Sequence, residues 1–186
     1  MILTAKSFDI LRTDLFKKLH QSQVDALNFL VKECESYGLT YPETAYALAT
    51  VYHETGVVVD GKLERTMLPV KESGSISYLQ GKRYYPYIGY GYVQITWEDN
   101  YRRVGKLIGV DLIKNPERAL EPKIAAQIMC QGMLNGWFTG VGFRRKRSVS
   151  RYNKAQYKAA RAIINGTDKA DLIAGYAMIF EKALRS

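Results

Sequence analysis

Hydrophobic positions recur along most of the chain with the period of an α-helix, and lose that rhythm in one long stretch. Ile10, Leu11, Leu15, Phe16 and Leu19 predict one or two short helical turns between Phe8 and Leu19. From a cap at Ser22, the residues Val24, Leu27, Leu30, Val31 and Cys34 keep a spacing near 3.6, and Gly38 marks the stop. The next helix opens near Tyr41 with a capping box, Thr40 and Glu43, and Pro42 sits in the first turn, where its missing N–H does no harm. Between Ala45 and Tyr52 only Thr50 is not hydrophobic, which leaves no face for water. A helix apolar on all sides belongs at the centre of a domain. Yet this one ends in His53-Glu54.

The rhythm then stops. Gly56 to Tyr92 mixes Gly, Ser and Lys with short apolar runs, a composition that predicts irregular loops and one or two small hairpins. Loops on a rigid scaffold are where sites usually lie. Thr96 with Asp99 predicts a further cap, for a helix through Tyr101, Val104, Leu107 and Ile108 to Gly109. Pro116 and Pro122 interrupt the chain before a helix carrying Ile124, Ala125, Ile128, Met129 and Met133 towards Trp137. Two more helices follow the loop around Gly140 and Gly142, one ending at Asn165-Gly166, the other placing Leu172, Ile173, Tyr176, Ala177 and Phe180 on one side. There is no internal repeat or linker, so residues 1–186 read as a single, mainly helical domain.

Composition narrows the class. At 186 residues and 47% hydrophobic content the chain can bury a proper core in one domain, with or without two lobes. No apolar run reaches eighteen residues, and the first residues lack the charged-then-apolar pattern of a signal peptide. A soluble protein first made in the cytoplasm is expected. Cys34 and Cys130, far apart within helical patterns, read as buried thiols, with one disulfide as the alternative. Two histidines, His20 and His53, make a His-based metal site improbable. The net charge of +9 is uneven: from Arg144 onwards eleven Lys or Arg stand against three Asp or Glu. That basic part, opening with Arg144-Arg145-Lys146-Arg147, is expected to meet anionic surfaces.

The candidate chemistry is that of carboxylates. A glutamate at the last turn of a buried helix lies by the negative end of the helix dipole and is partly desolvated, the circumstances in which proteins keep an acid able to donate a proton. Glu54 with a second carboxylate from the next loop, Asp60, Glu64 or Glu72, would equip a cleft for breaking a glycosidic bond. The tyrosines from Tyr84 to Tyr92, Tyr85 among them, and Trp97 just beyond offer aromatic faces for sugar rings or the packing of a small hairpin. Gly89 and Gly91 do not form a phosphate-binding loop, since no Gly-Lys-Ser/Thr follows, and nucleotide chemistry is not expected.

Several short motifs in order resemble glycoside hydrolase family 19, the plant-type chitinases and their bacterial and phage relatives. They are His53-Glu54-Thr55-Gly56, Lys71-Glu72-Ser73-Gly74 with Tyr78, Gly81-Lys82-Arg83-Tyr84-Tyr85, Gly91-Tyr92-Val93-Gln94-Ile95-Thr96, Asn100-Tyr101 and Ile163-Ile164-Asn165-Gly166. With Tyr85-Pro86-Tyr87-Ile88-Gly89 and Gly136-Trp137-Phe138-Thr139-Gly140, the chain is also similar to endolysins of phages with Acinetobacter hosts. The resemblance implies an α+β, predominantly α-helical, lysozyme-like fold of two lobes, with a small irregular β/loop region beside the cleft. It also implies roles. Glu54 would be the general acid, Glu72 the general base, and Thr96 would help hold the water. His53, Glu64, Tyr85, Gln94, Trp97, Asn100 and Asn165 would line the substrate, with Glu64 also a rival for the base. The family's Tyr-Gly-Arg-Gly is here Ile88-Gly89-Tyr90-Gly91, so a substrate-binding arginine is either absent or supplied elsewhere.

The activity expected is hydrolysis of the β-1,4 bond between N-acetylmuramic acid and N-acetylglucosamine, without metal or cofactor and with inversion. That mechanism needs the two carboxylates roughly 6.5 to 9.5 Å apart. The enzyme would wait in a host cytoplasm until released to the cell wall. Its partners would be bacterial peptidoglycan and, through the basic C-terminal part, the anionic envelope; neither nucleic acid nor a second subunit is expected. Three alternatives remain: a chitinase, a lytic transglycosylase needing only Glu54, and a cationic wall- or membrane-binding protein without catalysis.

Overall fold

The computed structural model describes residues 1–143 and 150–186. The run Arg144-Arg145-Lys146-Arg147 therefore lies outside the described residues. The helices are α1 (Ala5–Leu11), continued by a π-helical turn (Arg12–Phe16), α2 (Gln21–Ser36), α3 (Tyr41–Glu54), α4 (Ile76–Gln80), α5 (Glu98–Ile108), α6 (Pro122–Asn135), α7 (Lys154–Ala160) and α8 (Ala170–Leu184). Short 3-10 turns cover Pro116–Leu120 and Arg161–Ile163. Two antiparallel pairs make up the β structure: β1 (Gly56–Val59) with β2 (Lys62–Arg65), Val57 facing Glu64, and β3 (Val70–Lys71) with β4 (Tyr90–Gly91).

α3 is central, as its composition requires. Pro42 to Tyr52 are all buried, and the helix packs chiefly against α8. Its start is fixed by Glu43, whose carboxylate accepts from both the amide and the hydroxyl of Thr40 at 2.8 Å. Thr50, the one polar residue of the run, donates its hydroxyl back to the Tyr46 carbonyl at 3.0 Å. Its polarity therefore costs the core no unpaired donor.

Two hydrophobic clusters define two lobes. The larger gathers α3 with α1, α2, α7 and α8, around Leu27, Leu30, Leu48, Tyr157 and Phe180. The smaller holds Leu79, Ile88, Ile95, Tyr101, Val104 and Leu112. α6 is the wall between them. Ile124 and Ile128, one turn apart, enter the small cluster, while Ala125, Met129 and Met133 enter the large one. This explains a helix with so few exposed positions. Cys34 on α2 and Cys130 on α6 meet across that packing as free buried thiols, their sulfurs 3.8 Å apart.

Two expected caps lie elsewhere. α2 begins at Gln21, one residue before Ser22, and His20 holds the cap position with its amide donating to Gln23 Oε1 at 2.7 Å. α5 is capped by Trp97, not Thr96: Trp97 takes a φ of +75°, and Asn100 donates to the Thr96 carbonyl at 2.8 Å. At α5, Trp97 is already held by its amide, which donates to the Tyr87 carbonyl at 2.9 Å, and by its ring against Tyr84.

Among the described residues, no helix is long and apolar enough to cross a membrane. The charges from Arg151 onwards are largely spoken for. Lys154 and Lys158 approach Asp171, Lys182 approaches Asp14, Arg185 approaches Glu181, and Arg161 approaches Glu54.

Candidate active site

Glu54 is the last residue of α3, at the point where the buried helix surfaces; its side chain is 25% exposed. Its neighbour is Arg161, from the 3-10 turn after α7. The guanidinium is buried, with Nη2 3.5 Å from Glu54 Oε1 and Nε donating to the Asp168 carbonyl at 2.8 Å. The pair is too long for a strong hydrogen bond, and among the described residues Arg161 Nη1 has no partner. Beside them the Tyr46 hydroxyl is also buried and unpartnered; burial raises its pKa and Arg161 opposes the rise. The Nδ1 of His53 is buried and, among the described residues, also without a partner. Burial lowers its pKa, Arg65 and Arg161 act in the same direction, and Glu54 opposes them. The imidazole is thus neutral near pH 7.

Glu72 belongs to the other lobe. Its carboxylate is gripped at both oxygens: the Tyr84 hydroxyl donates to Oε1 at 2.8 Å, and the Gly89 amide donates to Oε2 at 2.9 Å. Its own amide donates to the Gly89 carbonyl at 2.7 Å. The Gly89 segment is in turn fixed by Tyr101, whose buried hydroxyl donates to the Ile88 carbonyl at 2.7 Å. Bonding to the Glu72 carboxylate raises the Tyr84 pKa, which keeps the phenol a donor across the working pH range. A side chain at position 89 would meet Gln94 Oε1 at 2.8 Å and Glu72 Oε2 at 3.4 Å. A larger residue there would have to displace the Gln94 amide that lies beside the grip.

The segment that leads to Glu72 is tied to the end of α3. Thr66 donates to the Thr55 carbonyl with both amide and hydroxyl, at 3.2 and 3.1 Å, and Met67 donates to the Thr55 hydroxyl at 3.2 Å. Glu72 is six positions past Thr66, so its backbone lies within roughly 22 Å of that tie even if the intervening chain were fully extended.

The remaining predicted residues fall into three groups. Trp97 and Tyr85 are exposed aromatics of the small lobe, and Trp97 packs edge-on against Tyr84 with ring centres 5.1 Å apart. Gln94 and Thr96 are turned towards backbone: the Gln94 amide donates to the carbonyls of Val70 and Gly91 at 2.8 and 2.9 Å, and the Thr96 hydroxyl donates to the Gln94 carbonyl at 2.9 Å. Gln94 thus pins the β3–β4 pair that precedes and follows the Glu72 loop. Asn100 has its amide on Thr96 and its carbonyl 3.3 Å from Arg103, and Asn165 is exposed four residues after Arg161. Glu64 stands apart. It is exposed on β2 across from Val57, with no hydrogen bond or ion pair among the described residues.

Sequence reasoning did not single out Arg161 or Tyr84. Tyr84 was inside a quoted motif. Arg161 lay in a basic stretch, where only its helical phase with Tyr157 and Ala160 hints at burial.

The architecture is that of a lysozyme-like α+β fold of the chitinase type, with one candidate carboxylate on each lobe. The structure matches a solved bacterial family 19 chitinase at a TM-score of 0.56 and 20% identity, over 99% of this chain and 95% of that one. In sequence the chain is 35% identical to Endochitinase 1 of Theobroma cacao over 95 residues, covering 45% of this chain and 30% of that protein. It is 33% identical to Endochitinase A2 of Pisum sativum over 94 residues, covering 45% and 29%. The chain spans about three tenths of the length of these curated relatives. No family model matches it.

Proposed function

We propose that the protein is a glycoside hydrolase of family 19 type that cleaves the β-1,4 bond between N-acetylmuramic acid and N-acetylglucosamine in bacterial peptidoglycan, as a phage endolysin does. The observation that carries the reading is the unequal housing of two carboxylates: Glu54 at the end of a buried helix beside Arg161, and Glu72 held at both oxygens by Tyr84 and Gly89. Glu54 protonates the leaving oxygen. Glu72 takes a proton from a water on the opposite face of the sugar, which attacks the anomeric carbon and inverts it. Arg161 steadies the negative charge left on Glu54 once its proton has gone. Trp97 and Tyr85 supply aromatic surface for the sugar rings. The exposed Glu64 is not the base in this scheme, because nothing fixes its carboxylate.

The curated relatives favour a second reading, a chitinase, which would use the same two carboxylates on an uncharged polymer. Mass spectrometry of the soluble fragments released from purified peptidoglycan and from chitin separates the two. The expected result is fragments with N-acetylmuramic acid at the reducing end. Release from chitin alone would establish the chitinase, and loss of one water from the fragments would establish a transglycosylase. Glu72→Gln should lower turnover by about two orders of magnitude or more, and Glu64→Gln much less. The opposite ranking would move the base to Glu64.

A further inference from the structure

A second concave site lies behind the carboxylate end of α3. It is a cavity of about 460 Å³ between the turn that follows Phe16 and the β1–β2 hairpin, and Lys17, Lys18, Lys62 and Arg65 line it. Glu64 is the only carboxylate in the lining. Among the described residues, none of those four cations is ion-paired, in contrast to the paired charges of the C-terminal helices. Four cations converging on one concavity, with one acid among them, repel one another. The arrangement suits an anionic ligand.

The site is built rather than incidental. Lys17 closes the π-helical turn with a φ of +59°, which turns the chain towards α2. Gln23, buried at the start of α2, donates to the Arg65 carbonyl at 2.8 Å and fixes the hairpin against the large lobe. Arg65 Nη1 donates to the His53 carbonyl at 2.6 Å, and its guanidinium lies 5.3 Å from the Tyr52 ring centre. One wall of the cavity is therefore bonded to the residue next to Glu54. Phe16 and Leu63 add apolar surface.

Resting on the peptidoglycan reading above, we infer that this cavity is a subsite for the carboxylates of the peptide that branches from the glycan strand. The polymer entering beside Glu54 carries a short peptide of alternating aliphatic and carboxylate groups on each muramic acid. A cationic pocket with apolar walls, attached to the turn that bears the acid, matches that branch and has no use on chitin, which is uncharged. Selection between the two polymers then lies in the N-terminal half of the chain, at the hairpin.

The test compares the wild type with the triple variant Lys17→Gln, Lys18→Gln, Lys62→Gln, all exposed positions outside the acid–base pair. Both are assayed on soluble glycan strands carrying their peptides and on the same strands stripped by an amidase. The variant should lose roughly tenfold in kcat/KM on peptide-bearing strands, the scale of a few screened charge contacts, and stay within about twofold of wild type on stripped strands. The wild-type preference for peptide-bearing strands should shrink as salt rises. Equal losses on both strands, or a wild type indifferent to the peptides, would overturn the inference. A binding arm is independent of catalysis: Glu54→Gln protein titrated with the free carboxylate-rich peptide should show amide shifts at residues 17–20 and 62–65, and their absence also overturns it. A triple variant that keeps peptide discrimination but loses binding to vesicles of anionic lipid would reassign the cavity to lipid phosphate. If the wild type frees reducing ends from neither strand, the hydrolase reading fails instead, and the titration still reports on the cavity.

Discussion

The Tyr84 hydroxyl isolates one part of the proposed machinery. Tyr84→Phe removes a single oxygen, the donor 2.8 Å from Glu72 Oε1, and leaves the ring in place against Trp97. The carboxylate keeps the Gly89 amide at 2.9 Å but loses the bond that fixes its rotation about that contact. A hydrogen bond to a charged group contributes about 1.5–3 kcal/mol. If that bond holds the base in its attacking orientation, its loss appears in the barrier as roughly tenfold to a hundredfold in kcat. KM should change little, because Glu72 addresses water and not the sugar. Melting should also change little, since Tyr84 is only partly buried and water can replace its hydroxyl. The assay is reducing-end release from soluble peptidoglycan strands by the wild type, Tyr84→Phe, Glu72→Gln and the double variant. The hydroxyl acts only through the carboxylate, so its removal should cost almost nothing in the Glu72→Gln background. A full tenfold loss persisting in that background would refute the reasoning, and Tyr84 would then touch substrate directly.

Three further outcomes follow from the geometry. Arg161→Met removes a buried guanidinium that donates to the Asp168 carbonyl at 2.8 Å and should destabilise the protein by about 1–3 kcal/mol in urea; a cost under about 0.5 kcal/mol would show that the contact is not a structural one. His53 has a pKa lowered from 6.5, chiefly by burial, so the unfolded chain binds more protons as pH falls below that value. Its contribution is therefore present above pH 6.5 and lost as pH falls through the folded-state pKa, and His53→Gln should flatten the decline in Tm between pH 7 and 5; an unchanged slope assigns that decline to other groups. Gln94→Leu strands the carbonyls of Val70 and Gly91 and should cost about 1–3 kcal/mol by thermal melting, whereas a Gln94 that served only to touch substrate would leave Tm unaltered.

How much of this was legible in the sequence depends on what kind of fact each residue records. The burial of α3 could be read from Ala45 to Tyr52 because hydrophobicity reports a residue's relation to water, and that relation is local to the residue. Glu43 could be placed for the same kind of reason, since its partner Thr40 is three residues away. Thr96 misled because capping preference is worth only about 1 kcal/mol and Trp97 is held at the cap position by the Tyr87 carbonyl and the Tyr84 ring, while Ser22 lies in the first turn of a helix that His20 caps. The choice between Glu64 and Glu72 had no answer in their flanking residues. The two differ in how the fold holds them: the amide of Gly89, seventeen residues past Glu72, donates to its carboxylate, while Glu64 is exposed on the strand paired with Val57. Arg161 is the extreme case. In the sequence it is one of eleven basic residues after position 143, and those charges suggested a surface for anionic partners. In the fold it is buried 107 positions from the carboxylate it faces, and several of its basic neighbours are matched to acids. Lys17, Lys18, Lys62 and Arg65, unpaired among the described residues, line one cavity although they come from two segments more than forty residues apart. Charge along a chain is a count of residues, but the potential at a site is set by which of them the fold leaves unpaired in one place.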